Sequence, residues 1–222
     1  STEGYGLFMD SPYHGVIDVG EADEDFVRWT TLDRHATWHF MVESTPMSLV
    51  ERYTEITGKP AHVPFWALAP HWWRNVTENQ AEVLEDARLS RELDIPATVL
   101  WIDRPWSSYY HNWKFDTERF PSPEAMFETL TSLGYRVMLH HSLQMNPEGQ
   151  VEDITGVDDS EGLYARFQDN DWLIKLNGAP LVFPWGGGVG GFVDYSHPDA
   201  VAEVRSHIQR VTQWGAVGTK MD

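Results

Sequence analysis

Residues 97–103, Ala97-Thr98-Val99-Leu100-Trp101-Ile102-Asp103, form an apolar run that ends on a carboxylate. Without polar alternation, such a run reads as a strand buried on both faces, the texture of a parallel sheet. The same unit recurs outward along the chain. Downstream, Ser122-Pro123 opens a helix that Gly134 ends, and Arg136-Val137-Met138-Leu139-His140-His141 is the next strand. Ser196, with Asp199 three residues on, is placed to cap a helix with apolar positions Val201, Val204, Ile208 and Val211. Gly215 stops that helix, and Ala216 to Asp222 reads as a fourth strand. Upstream, Phe65-Trp66-Ala67-Leu68-Ala69 is the first buried strand expected, and Thr77 with Gln80 offers a capping box for a helix through Leu93.

Strands alternating with helices in this way imply a parallel sheet covered on both faces. Four β/α units in a row fit a doubly wound sheet or half of a (β/α)8 barrel. A complete barrel takes roughly 250 residues, more than residues 65–222 supply. The last residue, Asp222, stands where a barrel strand hands over to its functional loop, so the chain is expected to be a fragment cut at both ends. The fold class expected is therefore α/β, the N-terminal half of a (β/α)8 TIM barrel. Residues 147–191, polar at first and then glycine-rich, read as an insertion after the third strand, over the barrel's functional face.

Before residue 65 the texture differs. Gly6 to Met9, Gly15 to Gly20 and Thr37 to Val42 are three short strands, too few for a closed sandwich. They read as the C-terminal end of a β domain over 1–45, joined to the barrel by a helix and loop over 46–64. Thr45 is placed to cap that helix, Pro46 to begin it and Gly58 to stop it, with Leu49, Val50, Tyr53 and Ile56 on one face.

Composition narrows the function classes. The formal net charge of −18 and pI near 4.8 repel phosphate backbones and anionic lipid, so neither nucleic acid nor a membrane surface is an expected partner. There are no cysteines, hence no disulfides, thiolate ligands or thiol nucleophiles. The 11 Trp, 8 Tyr and 10 Phe suit stacking on sugar rings as well as a large aromatic core. Compartment stays unassigned, since a chain beginning at Ser1 carries no information on a leader.

Several residues have chemistry to offer. Lys220 and Asp222, two apart on a strand, share a face. Spacing alone leaves them open to an internal ion pair or to an ionised nucleophile beside a cation. Asp103 ends its strand in the same manner, followed by Arg104-Pro105-Trp106. It suits capping or salt bridging, or accepting bonds from two sugar hydroxyls. His140 and His141 are adjacent on a strand, so one faces a shared site and the other the opposite side; with His71 and His111 they give no metal-ligand spacing. Gly186 to Gly191 spells GGGVGG, but it lacks the strand–turn–helix setting that would make it a nucleotide loop. Asn75-Val76-Thr77 has the form of a glycosylation sequon, a tripeptide common by chance.

Several stretches together resemble glycoside hydrolase family 31, the retaining α-glycosidases of α-glucosidase and α-xylosidase type. Gly4 to Asp10 with Ile17 to Gly20 is similar to the end of the family's N-terminal β-sandwich, and Val50 to Pro60 followed by Pro64 to Leu68 to its approach to the barrel. Phe115-Asp116-Thr117-Glu118-Arg119-Phe120-Pro121 resembles its WDxxRFP segment, and Asp194 to Ala200 its DFTNPEA. Gly218-Thr219-Lys220-Met221-Asp222 resembles its fourth-strand motif. The resemblance implies that Asp222 is the catalytic nucleophile and that Lys220 contacts substrate. It also implies that Asp103 binds hydroxyls of the sugar before the cleaved bond. Trp72, Trp106 and Trp113 fall near pocket-lining positions, and His140 takes the place of a pocket tryptophan. The implied activity is exo-hydrolysis of α-linked non-reducing-end sugars by double displacement, on an α-linked oligosaccharide or glycoside. The acid/base is expected beyond Asp222, and no cofactor or metal is implied. The alternative is a noncatalytic carbohydrate-binding or structural domain of the same fold; a histidine-based metallohydrolase ranks last.

Overall fold

A computed structural model describes residues 1, 3–109, 111–147, 162–185 and 188–221. The chain divides into two compact units, Ser1–His62 and Val63–Asp222.

The first unit contains β1 (Tyr5–Asp10), β2 (Gly15–Val19), β3 (Val27–Thr31), β4 (Thr37–Val42) and α1 (Pro46–Thr57). β1 pairs antiparallel with β4, and β2 with β3. β3 is a strand beyond the three expected. Its sequence, Val-Arg-Trp-Thr-Thr, has no apolar run to mark it, and pairing with β2 defines it instead, while Trp29 sits edge-on to Trp38 at 4.6 Å. α1 has the expected bounds. Thr45 Oγ1 accepts from Ser48 N at 3.1 Å, Ser48 Oγ accepts from Thr45 N at 3.2 Å, and Gly58 ends the helix with φ 91°. Of its expected face, Leu49 is buried and Tyr53 meets Phe8 edge-on at 5.2 Å, whereas Val50 and Ile56 are exposed. α1 packs on β1 and β4, so this helix belongs to the first unit.

In the second unit, Phe65–Leu68 is a turn of 3-10 helix and Phe65 is 87% exposed, so these residues are not the first buried strand. Pro64 and Pro70 bracket the segment and withhold two ladder donors. The strand comes just after it, as β5 (His71–Trp73). There follow α2 (Gln80–Glu92), β6 (Val99–Ile102), α3 (Pro123–Ser132), β7 (Arg136–His141), β8 (Gln144–Met145) and α4 (Leu163–Asp169). Then come β9 (Lys175–Leu176), β10 (Ala179–Pro180), β11 (Val182–Trp185), β12 (Gly188–Phe192), α5 (Pro198–Thr212) and β13 (Ala216–Met221).

Strands β5, β6, β7 and β13 lie side by side in chain order, every pair parallel. Sequential parallel pairing, with α2, α3 and α5 in the crossovers, is the (β/α) barrel topology, present here as a four-stranded sheet. One face carries Leu100, Ile102, Val137 and Leu139, buried with Val83 and Ala87 of α2 and Met126, Phe127 and Leu130 of α3. The register puts Trp73, Trp101, Met138, His140, Gly218 and Lys220 on the other face.

Two helix starts differ from expectation. α2 is capped by Asn79, whose Oδ1 accepts from Glu82 N at 3.0 Å, while Thr77 is buried and its N–H bonds Arg104 O at 3.1 Å. α5 is capped by His197, because Ser196 turns back to donate to Asp194 Oδ1 at 2.6 Å. That bond holds the Asp194 carboxyl below its ordinary value.

The described part of the 147–191 segment is not a bare loop. α4 and the strands after it form a second apolar cluster, in which Leu163, Phe167 and Leu173 are buried with Tyr109, Met145, Val193 and Val204. The glycines of β12 serve close packing: a Cβ on Gly190 would lie 2.7 Å from Gln144 Cβ. Gly186, Gly187 and the acidic stretch through Glu161 lie outside the described residues.

Candidate active site

The site is built at the carboxyl ends of the parallel strands, where β/α sheets present functional side chains. Asp103 follows the last residue of β6 and is 2% exposed. Trp73 Nε1 donates to its Oδ2 at 2.5 Å and Lys220 Nζ to the same oxygen at 3.1 Å. The backbone N–H of Arg104 donates to Oδ1 at 2.8 Å, and His140 Nδ1 stands 4.0 Å from that oxygen. Lys220 Nζ also lies 5.3 Å from the centroid of the Trp73 ring, within cation–π range. A buried carboxylate is costly unless paired and hydrogen-bonded, and Asp103 has both a cation and two neutral donors. The ensemble is a negative group flanked by a cation, an indole and an imidazole. Such a set can grip the hydroxyls of a polar neutral ligand.

Three residues singled out from the sequence, Asp103, His140 and Lys220, therefore come together. The register makes this possible, since Lys220 sits beside His140 across the β7–β13 pair. Three others lie elsewhere. Trp72 packs with the helix-facing cluster, on the opposite side of the sheet from Trp73. Trp106 is buried and donates from Nε1 to His140 O at 2.8 Å, so it supports the histidine from behind. Trp113 is buried against His141, with ring centroids 4.6 Å apart, and holds a left-handed φ of 54°. Asp222 lies outside the described residues. Trp73 is the residue the sequence reading missed. Choosing between Trp72 and Trp73 requires the parity of β5, and the equally apolar Phe65–Leu68 just before it masks where that strand lies.

The loop after β6 is held by α5. Arg210 Nη1 donates to Asn112 O at 2.6 Å, and His207 Nδ1 lies 3.0 Å from His111 O. His111 is wholly buried, with Nε2 2.9 Å from Gln144 O and its ring 4.7 Å from that of His141. Burial, with the nearby His207 adding to it, pushes its pKa down to about 4, so the imidazole is neutral. Among the described residues no three His, Asp or Glu side chains gather in a way that could hold a metal ion. No helix of the described residues is long and apolar enough to cross a membrane.

Residues 60–222 match the glycosyl hydrolases family 31 TIM-barrel domain. Among curated proteins, α-glucosidase 2 of Bacillus thermoamyloliquefaciens is 30% identical over 134 residues, covering 60% of this chain and 17% of the relative. The α-xylosidase XylQ of Lactiplantibacillus pentosus is 25% identical over 229 residues, covering 100% of this chain and 28% of the relative. This chain thus spans less than a third of either relative's length. Among solved structures, a family 31 dextranase of Flavobacterium johnsoniae complexed with glucose superposes with a TM-score of 0.84 at 20% identity. That superposition covers 99% of this chain and 26% of the dextranase. At that identity the likeness speaks for the fold, and the domain match carries the assignment: this chain belongs to glycosyl hydrolase family 31.

Proposed function

We propose that the protein is a retaining exo-acting α-glycosidase of α-glucosidase or α-xylosidase kind, with Asp222 as nucleophile. The observation that carries the reading is the Lys220–Asp103 pair at the carboxyl ends of β13 and β6, in a chain of this family. In the proposed reaction the Asp222 carboxylate attacks the anomeric carbon, forming an acyl–glycosyl bond as the glycosidic C–O bond breaks. A second carboxylic acid, expected from outside residues 1–222, gives its proton to the leaving oxygen. It then takes a proton from water as that water opens the glycosyl ester, and net retention results. Retaining enzymes place their two carboxyl groups about 5–5.5 Å apart.

Asp103 accepts hydroxyl hydrogen bonds from the sugar ahead of the scissile bond. Lys220 pairs with that carboxylate and bonds a sugar oxygen. His140 borders the same hydroxyl position from the Oδ1 side. Trp106 and Trp113 act indirectly, by fixing the backbone of His140 and the ring of His141.

The test is hydrolysis of aryl α-glucosides and α-xylosides by the native protein, with the anomer of the first-formed sugar read by NMR. An α product and loss of turnover in Asp222→Asn are expected. A β product, or near-normal rates in Asp222→Asn, would overturn the reading.

A further inference from the structure

The carboxylate assigned to sugar binding is already occupied. A carboxylate offers about four acceptor positions, and Asp103 uses three on Trp73, Lys220 and the Arg104 N–H. Its 2% exposure leaves no path for a hydroxyl unless a covering group withdraws. The three groups differ in what withdrawal costs. The Arg104 N–H belongs to the backbone adjoining the acid and cannot leave it. Lys220 carries the charge that balances a buried anion, and only 19% of its side chain is exposed. Trp73 is neutral, sits at the end of a three-residue strand and is 45% exposed. It can swing outward and give its N–H to water. Trp101, beside it on the same face, does not compete, because its Nε1 donates to His71 Nδ1 at 2.9 Å.

We infer that Trp73 is a specificity-determining residue whose indole N–H occupies the sugar-hydroxyl position on Asp103 Oδ2 until a ligand hydroxyl replaces it. This rests on the sugar-site reading above. The exchange is one N–H···O bond for one O–H···O bond on the same oxygen, so a pyranoside bearing a hydroxyl at that point displaces the indole. A deoxy analogue lacking the hydroxyl has nothing to trade and leaves the indole in place. The N–H therefore costs affinity only to sugars that bear the displacing hydroxyl, and so sets how strongly that hydroxyl is felt.

The experiment uses Trp73→Phe, which keeps an aromatic ring and deletes the donor. Kinetics of the native protein are measured on an aryl α-glycoside and on its monodeoxy analogues. The variant should show a KM about tenfold lower on the full glycoside with kcat little changed, the size of one hydrogen bond to a charged acceptor, and a KM little changed on the one deoxy analogue that lacks the displacing hydroxyl. A folding failure of the variant is covered by a second reading in the wild-type protein. There the Trp73 indole N–H resonance should shift when glucose or xylose saturates the site. Turnover by the wild type with an unchanged or raised KM in Trp73→Phe, or an unmoved indole resonance, overturns this inference alone. No turnover of any α-glycoside and no sugar-induced change in the wild type would overturn the sugar-site reading and this inference with it.

Discussion

Replacing His111 with glutamine should remove a specific part of the protein's acid sensitivity. His111 is wholly buried and neutral, with a pKa of about 4 against 6.5 for an ordinary histidine. Burial is the main cause. Nearby His207 also disfavours the charge, and the Gln144 carbonyl opposes these only in part. The unfolded chain takes up a proton near pH 6.5 and the native chain does not, so stability rises with pH between about 4 and 6.5. The gap of about 2.5 units, at about 1.4 kcal/mol each, comes to about 3–4 kcal/mol, of which about 3 falls between pH 7 and pH 4. That stability is fully present above pH 6.5 and is lost as pH falls toward 4. Glutamine keeps a donor for the Gln144 carbonyl and cannot titrate. Urea unfolding of both proteins at a series of pH values isolates the effect, because titrating groups remote from His111 cancel in the difference. The stability of the wild type relative to His111→Gln should fall by about 3 kcal/mol between about pH 7 and pH 4. A difference that stays constant across the range would refute the claim that His111 is buried and uncharged.

Other substitutions probe the remaining supports. Lys220→Met removes the cation bonded to the buried Asp103 carboxylate, and denaturant unfolding should show a loss of about 3–5 kcal/mol. Leu130→Ala empties a fully buried position between α3 and the sheet and should cost about 2–5 kcal/mol in the same assay. Gly190→Ala forces a Cβ to within 2.7 Å of Gln144 Cβ, so it should lower the melting temperature, and Gly134→Ala should lower it too, through backbone strain at φ 80° although nothing lies near its Cβ position.

The parts of this fold legible in the sequence are those decided by local chemistry. α1 could be bounded from Thr45, Pro46 and Gly58 because a cap, a first-turn proline and a left-handed glycine act within one turn of the chain. β6 and β7 were readable because strands buried on both faces leave apolar runs. The first barrel strand was not, since Phe65-Trp66-Ala67-Leu68 is as apolar as a strand yet is coiled between prolines. β3 and the elements from α4 to β12 owe their order to pairing and to a second cluster assembled from distant positions. The site follows the same division. Asp103 and Lys220 stood out as charged residues at strand ends, but their direct bond joins positions 117 residues apart. The family resemblance put Trp106 and Trp113 near pocket-lining positions; both are buried here, in a loop after β6 that α5 pins at His111 and Asn112.

The most direct test of the central claim is to trap the glycosyl–enzyme ester on the native protein. An activated fluoro-sugar that forms the ester quickly and hydrolyses slowly, in the α-gluco and α-xylo series, is incubated with the protein, and peptides are mapped by mass spectrometry. The account predicts stoichiometric labelling with loss of activity, and the added mass on the peptide carrying Asp222. Label on a different carboxylate, or hydrolysis of the reagent with no covalent adduct at Asp222, would contradict it.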